Sequence, residues 1–267
     1  MFLLRMWMEG ILKILKMPSR IIHRLSIWKR PIAGVFIYRT WKRWPGLQNQ
    51  KRSLRYVITV IVPRCIKALI QYGIDLVLQS ATKYINGHSD VVAGVLSGTK
   101  AMMKKIFNSE YMNMGIGATP FNAWLMIRGL RTLPLRLAQI SATTEKVVHF
   151  LKNHEKVEEV VFPFDKDFPQ YELAKKQMKG AGGLFSFTIK ANKIKEIENF
   201  CENLRHILMA VSWGGHESLI IPGCASIKEN EFDAENKDHR KLRMYVGLEE
   251  PDYIIENLER GFAGMGI

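Results

Sequence analysis

The chain has 267 residues, enough for one large domain or two modest ones, and combines 47% hydrophobic and 24% charged residues with a formal net charge of +14. That excess sits at one end: residues 1–74 hold 15 Lys and Arg against the single acid Glu9, and the remainder balances at 24 basic and 24 acidic residues, as in an ordinary cytoplasmic enzyme. No apolar run approaches the ~20 residues of a membrane span, and three widely spaced cysteines, Cys65, Cys201 and Cys224, are too few for a disulfide framework or a zinc site.

Residues 1–68 form an anomalous basic segment. Met1 to Lys16 places apolar residues at helical spacing beside Arg5, Lys13 and Lys16, the pattern of an amphipathic surface helix or a transit peptide. Trp7, Trp28, Trp41 and Trp44 lie among arginines and lysines, as on surfaces that stack single-stranded nucleic acid. Tyr56 to Val62 is a strand-sized apolar run.

The regular part begins near residue 69. Gly73 to Gln79 reads as a short buried strand and Val91 to Leu96 as another, with a polar turn between them that holds Lys83. A lysine held between packed strands loses solvent, which lowers its pKa and frees the amine for Schiff-base chemistry. The stretch Ser80-Ala81-Thr82-Lys83-Tyr84, followed by Asn86-Gly87-His88-Ser89-Asp90, closely resembles the lysine segment of the pyridoxal-phosphate enzymes of transsulfuration, which include cystathionine beta-lyase, cystathionine gamma-lyase, cystathionine gamma-synthase and methionine gamma-lyase. The resemblance implies that Lys83 carries pyridoxal 5'-phosphate covalently and that Ser80 and Thr82 touch its phosphate.

Thr99 to Asn108 reads as a helix, and a long amphipathic helix runs from near Pro120 through Asn153, with Trp124, Ile127, Leu130, Leu137, Ile140 and Val147 at helical spacing and Pro134 as a kink or interruption. Phe121-Asn122-Ala123-Trp124-Leu125 again resembles the family, in a structural rather than catalytic part. From residue 151 to 267 strands and helices alternate as in a small α/β domain. Strands are expected at Val157–Phe162, Gly183–Ile189, Leu208–Ser212, Leu219–Ile221 and Lys241–Val246, and helices at Lys193–Leu204 and Pro251–Phe262.

Ser212-Trp213-Gly214-Gly215-His216-Glu217-Ser218 resembles a family element whose serine lies beside the substrate. Trp213 within it is most like cystathionine beta-lyase, although an ordinary packed aromatic is an equal reading; His216 and Glu217 read as structural. Arg243 matches the arginine that grips the substrate α-carboxylate, a task for which a guanidinium fork suits both oxygens.

The fold implied is α/β: the C-terminal part of a large domain of the aspartate aminotransferase type (69–150) plus a small C-terminal α/β domain (151–267), with the N-terminal half of the family fold missing. The implied function is a carbon–sulfur lyase of sulfur amino acid metabolism that cleaves cystathionine, with a gamma-synthase or gamma-lyase as alternative and, from another class, a non-catalytic homologue whose basic segment binds nucleic acid or a membrane. Partners expected on the leading reading are a small sulfur amino acid and, at full length, identical subunits in a tetramer, without nucleic acid, membrane or metal. The family's glycine-rich phosphate loop, stacked aromatic and pyridine-binding aspartate are not found in residues 1–68. The aspartate's place, about 25 residues before Lys83, falls on Ile58, where the codons of Val57, Ile58 and Thr59 read one base early permit Asp then Asn. A frameshift or faulty gene start is therefore the preferred reading of residues 1–68, and the chain as written is expected to bind the cofactor weakly and turn over negligibly.

Overall fold

The computed structural model describes residues 56–59, 76–115, 117–178 and 180–266. The amphipathic reading of Met1 to Lys16, the four tryptophans of the basic segment, Cys65 and the first residues of the strand expected from Gly73 lie outside the described residues.

Three strands form the first sheet among the described residues: β1 (Tyr56–Thr59), β2 (Leu76–Ser80) and β3 (Gly94–Gly98), in the order β1-β2-β3. β1 runs parallel to β2, with Tyr56 opposite Leu76, and β3 returns antiparallel, with Ser80 opposite Gly94. β3 begins three residues later than its apolar run suggests. Ala93 is occupied otherwise: its carbonyl accepts from the N–H groups of Ala81 and Thr82 at 2.9 and 3.2 Å, so it closes the lysine turn instead of extending the ladder. Helix α1 (Lys100–Ile106) follows, its N-terminus capped by Thr99, whose hydroxyl accepts from Met102 N–H at 3.3 Å.

Helix α2 (Pro120–Asn153) is 34 residues long and is not interrupted at Pro134. Thr119 caps it and Pro120, preset to helical φ, starts it. Its apolar stripe divides in two. Leu137, Ile140, Val147, Val148 and Leu151 are buried, whereas Phe121, Trp124, Ile127 and Leu130 are each more than half exposed. The period of the stripe is helical throughout, but the apolar side chains of its first three turns stay exposed, and the helix first meets the lysine turn at Gly129, against the carbonyls of Ile85 and Asn86.

The second sheet has the order β4-β5-β8-β7-β6, from β4 (Val157–Val161), β5 (Leu184–Ile189), β6 (Leu208–Met209), β7 (Leu219–Pro222) and β8 (Lys241–Tyr245). All its pairs are antiparallel except β6 with β7. Helices α3 (Tyr171–Gln177), α4 (Ile194–Glu202), α5 (Lys237–Arg240) and α6 (Pro251–Gly264) complete it; α3 and α5 were not expected from the sequence. Alternate residues of a strand face opposite sides, and this sheet buries both. Phe185, Phe187, Ile189, Leu242 and Met244 join the main core with Ile197 and Phe200 of α4, Leu258 and Phe262 of α6, and Val147 and Leu151 of α2. Leu184, Leu219 and Tyr245, on the other side, join a smaller cluster with Leu137, Ile140 and Tyr84. That second face carries the site.

Two strand ends are shorter than expected. Gly183 lies outside β5 because its N–H turns to the phenol oxygen of Tyr84. Leu208–Ser212 reduces to Leu208–Met209: after a last bond from Ala210 N–H to Ile220 O at 3.0 Å, Ser212 leaves the sheet. No described helix is long and apolar enough to cross a membrane.

Phe187 is fully buried between the sheet and α4, 6.4 Å from the ring of Phe200. Phe187→Ala is expected to lower stability by about 3–5 kcal/mol, read as an earlier urea midpoint with an unchanged denaturant slope.

Candidate active site

Lys83 sits in the turn Ala81–Ile85, which leaves β2 with non-helical backbone at the lysine itself (φ −90°, ψ −130°). Several local bonds fix this turn. Thr82 Oγ1 donates to Ala93 O at 3.3 Å and accepts from Ala93 N–H at 3.0 Å. Gly87 N–H donates to Lys83 O at 2.9 Å, and Gly87 adopts φ 71°, a conformation open to glycine. Asn86 Nδ2 donates to Asp90 Oδ1 at 2.6 Å. From below, α2 supports the turn: buried Arg136 donates to Gly129 O at 2.7 Å and to Ile85 O at 3.4 Å.

The second side comes from the small domain. The loop after β6 presses Gly214, at φ 85°, onto the turn, where a Cβ would lie 2.7 Å from Tyr84 N and 2.9 Å from Lys83 C. Two buried tyrosines hold this contact. Tyr84 Oη accepts from Gly183 N–H at 3.0 Å, Tyr245 Oη donates to Gly215 O at 2.8 Å, and their rings meet edge to face with centroids 6.0 Å apart. Burial pushes both phenols well above the usual tyrosine range. Further along, Ser218 is fastened to Glu249 through its N–H at 2.7 Å and its hydroxyl at 2.9 Å.

These elements bring the sequence-predicted residues together. Lys83 Nζ donates to Ser212 Oγ at 2.7 Å and lies 4.3 Å from the centre of the Trp213 ring. Arg243 is buried on β8, two residues before Tyr245 and therefore on the same face, with its guanidinium carbon 5.5 Å from the same ring centre. Burial, and secondly the Arg243 charge, hold the Lys83 amine below the ordinary lysine range. Ser80 is at the end of β2, half-buried. Thr82 is next to the lysine, but its hydroxyl proton points to Ala93 O, so its hydroxyl is committed to the turn. Sequence reasoning passed over Tyr84, Tyr245 and Glu249 as site-forming residues. The neighbour of Lys83 and the i, i+2 spacing of Arg243 and Tyr245 were the available signals.

The arrangement offers a desolvated amine, a hydroxyl 2.7 Å from it, an aromatic wall and a buried guanidinium on one surface. Such a donor set fits a cofactor that presents an aldehyde to an amine and a substrate that carries a carboxylate.

A lysine whose folded pKa is depressed binds fewer protons than its unfolded counterpart in the window between the two values. The burial of Lys83 therefore costs stability at neutral pH, and the cost fades as pH rises from the folded value to the ordinary 10.5. In pH-dependent reductive methylation followed by peptide mass spectrometry, Lys83 is expected to titrate below the ordinary lysine value of 10.5, and Arg243→Gln to move its midpoint upward. A Lys83 midpoint at the ordinary lysine value contradicts this assignment of charge and burial.

Residues 55–263 match the family described as Cys/Met metabolism PLP-dependent enzyme. Canavanine gamma-lyase of Pseudomonas canavaninivorans is 39% identical over 192 residues, which cover 70% of this chain and 48% of the relative. Cystathionine beta-lyase of Lactococcus lactis subsp. cremoris is 38% identical over 198 residues, covering 71% and 50%. Among solved structures, cystathionine gamma synthase from Xanthomonas oryzae pv. oryzae in complex with aminoacrylate and cysteine matches with a TM-score of 0.71 at 32% identity, over 80% of this chain and 56% of that one. The chain spans about half the length of the curated relatives it matches. With its lysine turn, its two sheets and more than half of its residues matched, the chain belongs to the Cys/Met metabolism PLP-dependent enzyme family.

Proposed function

We propose that this chain carries the lysine-bearing part of a pyridoxal-phosphate-dependent carbon–sulfur lyase that acts on a sulfur amino acid, with cystathionine as substrate. The observation that carries this reading is the Lys83 amine, half-buried, 2.7 Å from Ser212, with the Trp213 ring within reach of both Lys83 and Arg243.

When bound, the cofactor supplies electron withdrawal from the substrate Cα. The residues of this chain divide the remaining work. Lys83 Nζ would hold the cofactor, and it is also the group placed to take the Cα proton, because its lowered pKa keeps more of it neutral near pH 7. Ser212 Oγ anchors that amine at 2.7 Å and thereby sets where the base stands. Arg243 grips the α-carboxylate, and its burial favours an anion that arrives with little water. Ser80 at the end of β2 and Thr82 in the turn are the residues that would hold the phosphate by family resemblance. For Thr82 this contact requires its hydroxyl to turn away from Ala93.

Loss of sulfur from Cβ is the leading reading because Trp213 within the glycine loop is most like cystathionine beta-lyase. Loss at Cγ is the second, favoured by the 39% identity to canavanine gamma-lyase. Assembly into a homotetramer and a cytoplasmic location belong to the same proposal.

Incubation with millimolar pyridoxal phosphate followed by borohydride reduction is expected to mark Lys83, and Lys83→Arg to lose the mark. With cystathionine, β-cleavage releases pyruvate and γ-cleavage 2-oxobutyrate. An adduct at Lys83 with little or no product is the outcome expected of a chain that spans half its relatives' length, any product formed tells which bond breaks, and no adduct at Lys83 overturns the reading.

A further inference from the structure

Residues 83–89 and 212–217 meet at three points. Lys83 Nζ bonds Ser212 at one end, and Gly214 presses on the Lys83 and Tyr84 backbone in the middle. At the other end Ser89 Oγ donates to Glu217 Oε1 at 2.6 Å. Gly215 lies between these last two side chains: a Cβ there would be 2.3 Å from Ser89 Oγ and 2.5 Å from Glu217 Oε2.

Two further observations make this more than a surface contact. Ser89 is the one non-glycine residue with positive φ among the described residues, at 60°, a conformation that persists only where the surroundings hold it. Glu217 Oε2 is buried, with His216 Nδ1 3.1 Å away, and the carboxylate is close enough to Tyr245 to help raise its phenol pKa. Tyr245 Oη in turn holds Gly215 O at 2.8 Å. One carboxylate thus reaches the lysine turn, its own loop and β8.

We propose that the Ser89–Glu217 bond is a latch that holds the Trp213-Gly214-Gly215 loop closed over Lys83, which makes Glu217 a positioning residue for the lysine. The inference rests on the reading of Lys83 as the reactive amine. When the latch opens, Gly214 is released from the turn and water reaches Nζ. The groups that face Nζ are Ser212 and Trp213 from the loop and Arg243 from β8. Loss of desolvation therefore raises the affinity of Nζ for a proton, since burial is the larger of its two depressing causes.

The test uses the full chain without cofactor and compares Ser89→Ala, Glu217→Ala, Glu217→Gln and the double alanine variant. The Lys83 midpoint in reductive methylation is read against that of the wild-type chain, together with thermal unfolding and hydrogen exchange of residues 184–189 as controls of fold. Each alanine variant is expected to raise the Lys83 midpoint by about half a pH unit or more. The double variant is expected to shift no further than either single one, because the pair acts as a unit. Glu217→Gln, whose amide oxygen still accepts from Ser89, restores part of the shift. Unchanged midpoints in folded variants, or additive shifts in the double variant, overturn the latch. Where Glu217→Ala does not fold, Ser89→Gly decides: it relieves the backbone conformation but lacks the bond, so it must raise the midpoint as Ser89→Ala does. Failure of wild-type Lys83 to take up pyridoxal phosphate overturns the functional reading alone, whereas unshifted midpoints with intact uptake overturn the latch alone.

Discussion

The removal of water from one amine is the constraint on which the rest of the site depends. Lys83 follows a strand by three residues and by itself would extend into solvent, as most lysines do. What holds it is a loop 129 residues further along the chain, through the bond to Ser212. Close approach of the two backbones requires a residue without a side chain at Gly214 and positive φ at the same position. The desolvated amine and the Trp213 wall are consequences of that approach, and β8 adds the Arg243 charge beside them.

The small domain makes the approach repeatable. Its sheet buries both faces, and the strand period assigns each residue of β8 a task. Leu242 and Met244 lock the strand into the main core, while Arg243 faces the lysine side and Tyr245 meets Tyr84 and Gly215 beside it. Two buried phenols then tie the halves together, one from the turn to Gly183 and one from β8 to Gly215. A buried hydroxyl that finds its partner stabilises modestly, but one that loses it costs about 1–3 kcal/mol. The tyrosine pair therefore sets position more than it adds stability.

Helix α2 links the two parts and reveals a difference between them. Its C-terminal half is packed between α6 and the sheet. Its N-terminal half exposes Phe121, Trp124, Ile127 and Leu130, with Phe121 and Trp124 stacked at 6.0 Å. Exposed apolar surface of this extent is unusual for a lone domain. It accompanies a chain that spans about half the length of its curated relatives.

Much of this was legible in the linear sequence. The lysine turn, the long helix from Pro120 to Asn153 and the alternating small domain follow from local signals: apolar periodicity, a proline at a helix start, and strand-length runs. Resemblance to a family added Lys83, Ser212, Trp213 and Arg243 as residues that act together. The tertiary structure decided what depends on partners distant in sequence. β3 starts late because Ala93 is used by Thr82, β5 starts late because Gly183 turns to Tyr84, and the hydroxyl of Thr82 is committed to the turn. The bond between Ser89 and Glu217 joins residues 128 apart. Periodicity reports which face of an element is apolar, but not what covers it. For that reason the sequence determined the elements and their chemistry, and only packing decided which side chains meet, how dry the lysine is and which half of α2 is covered.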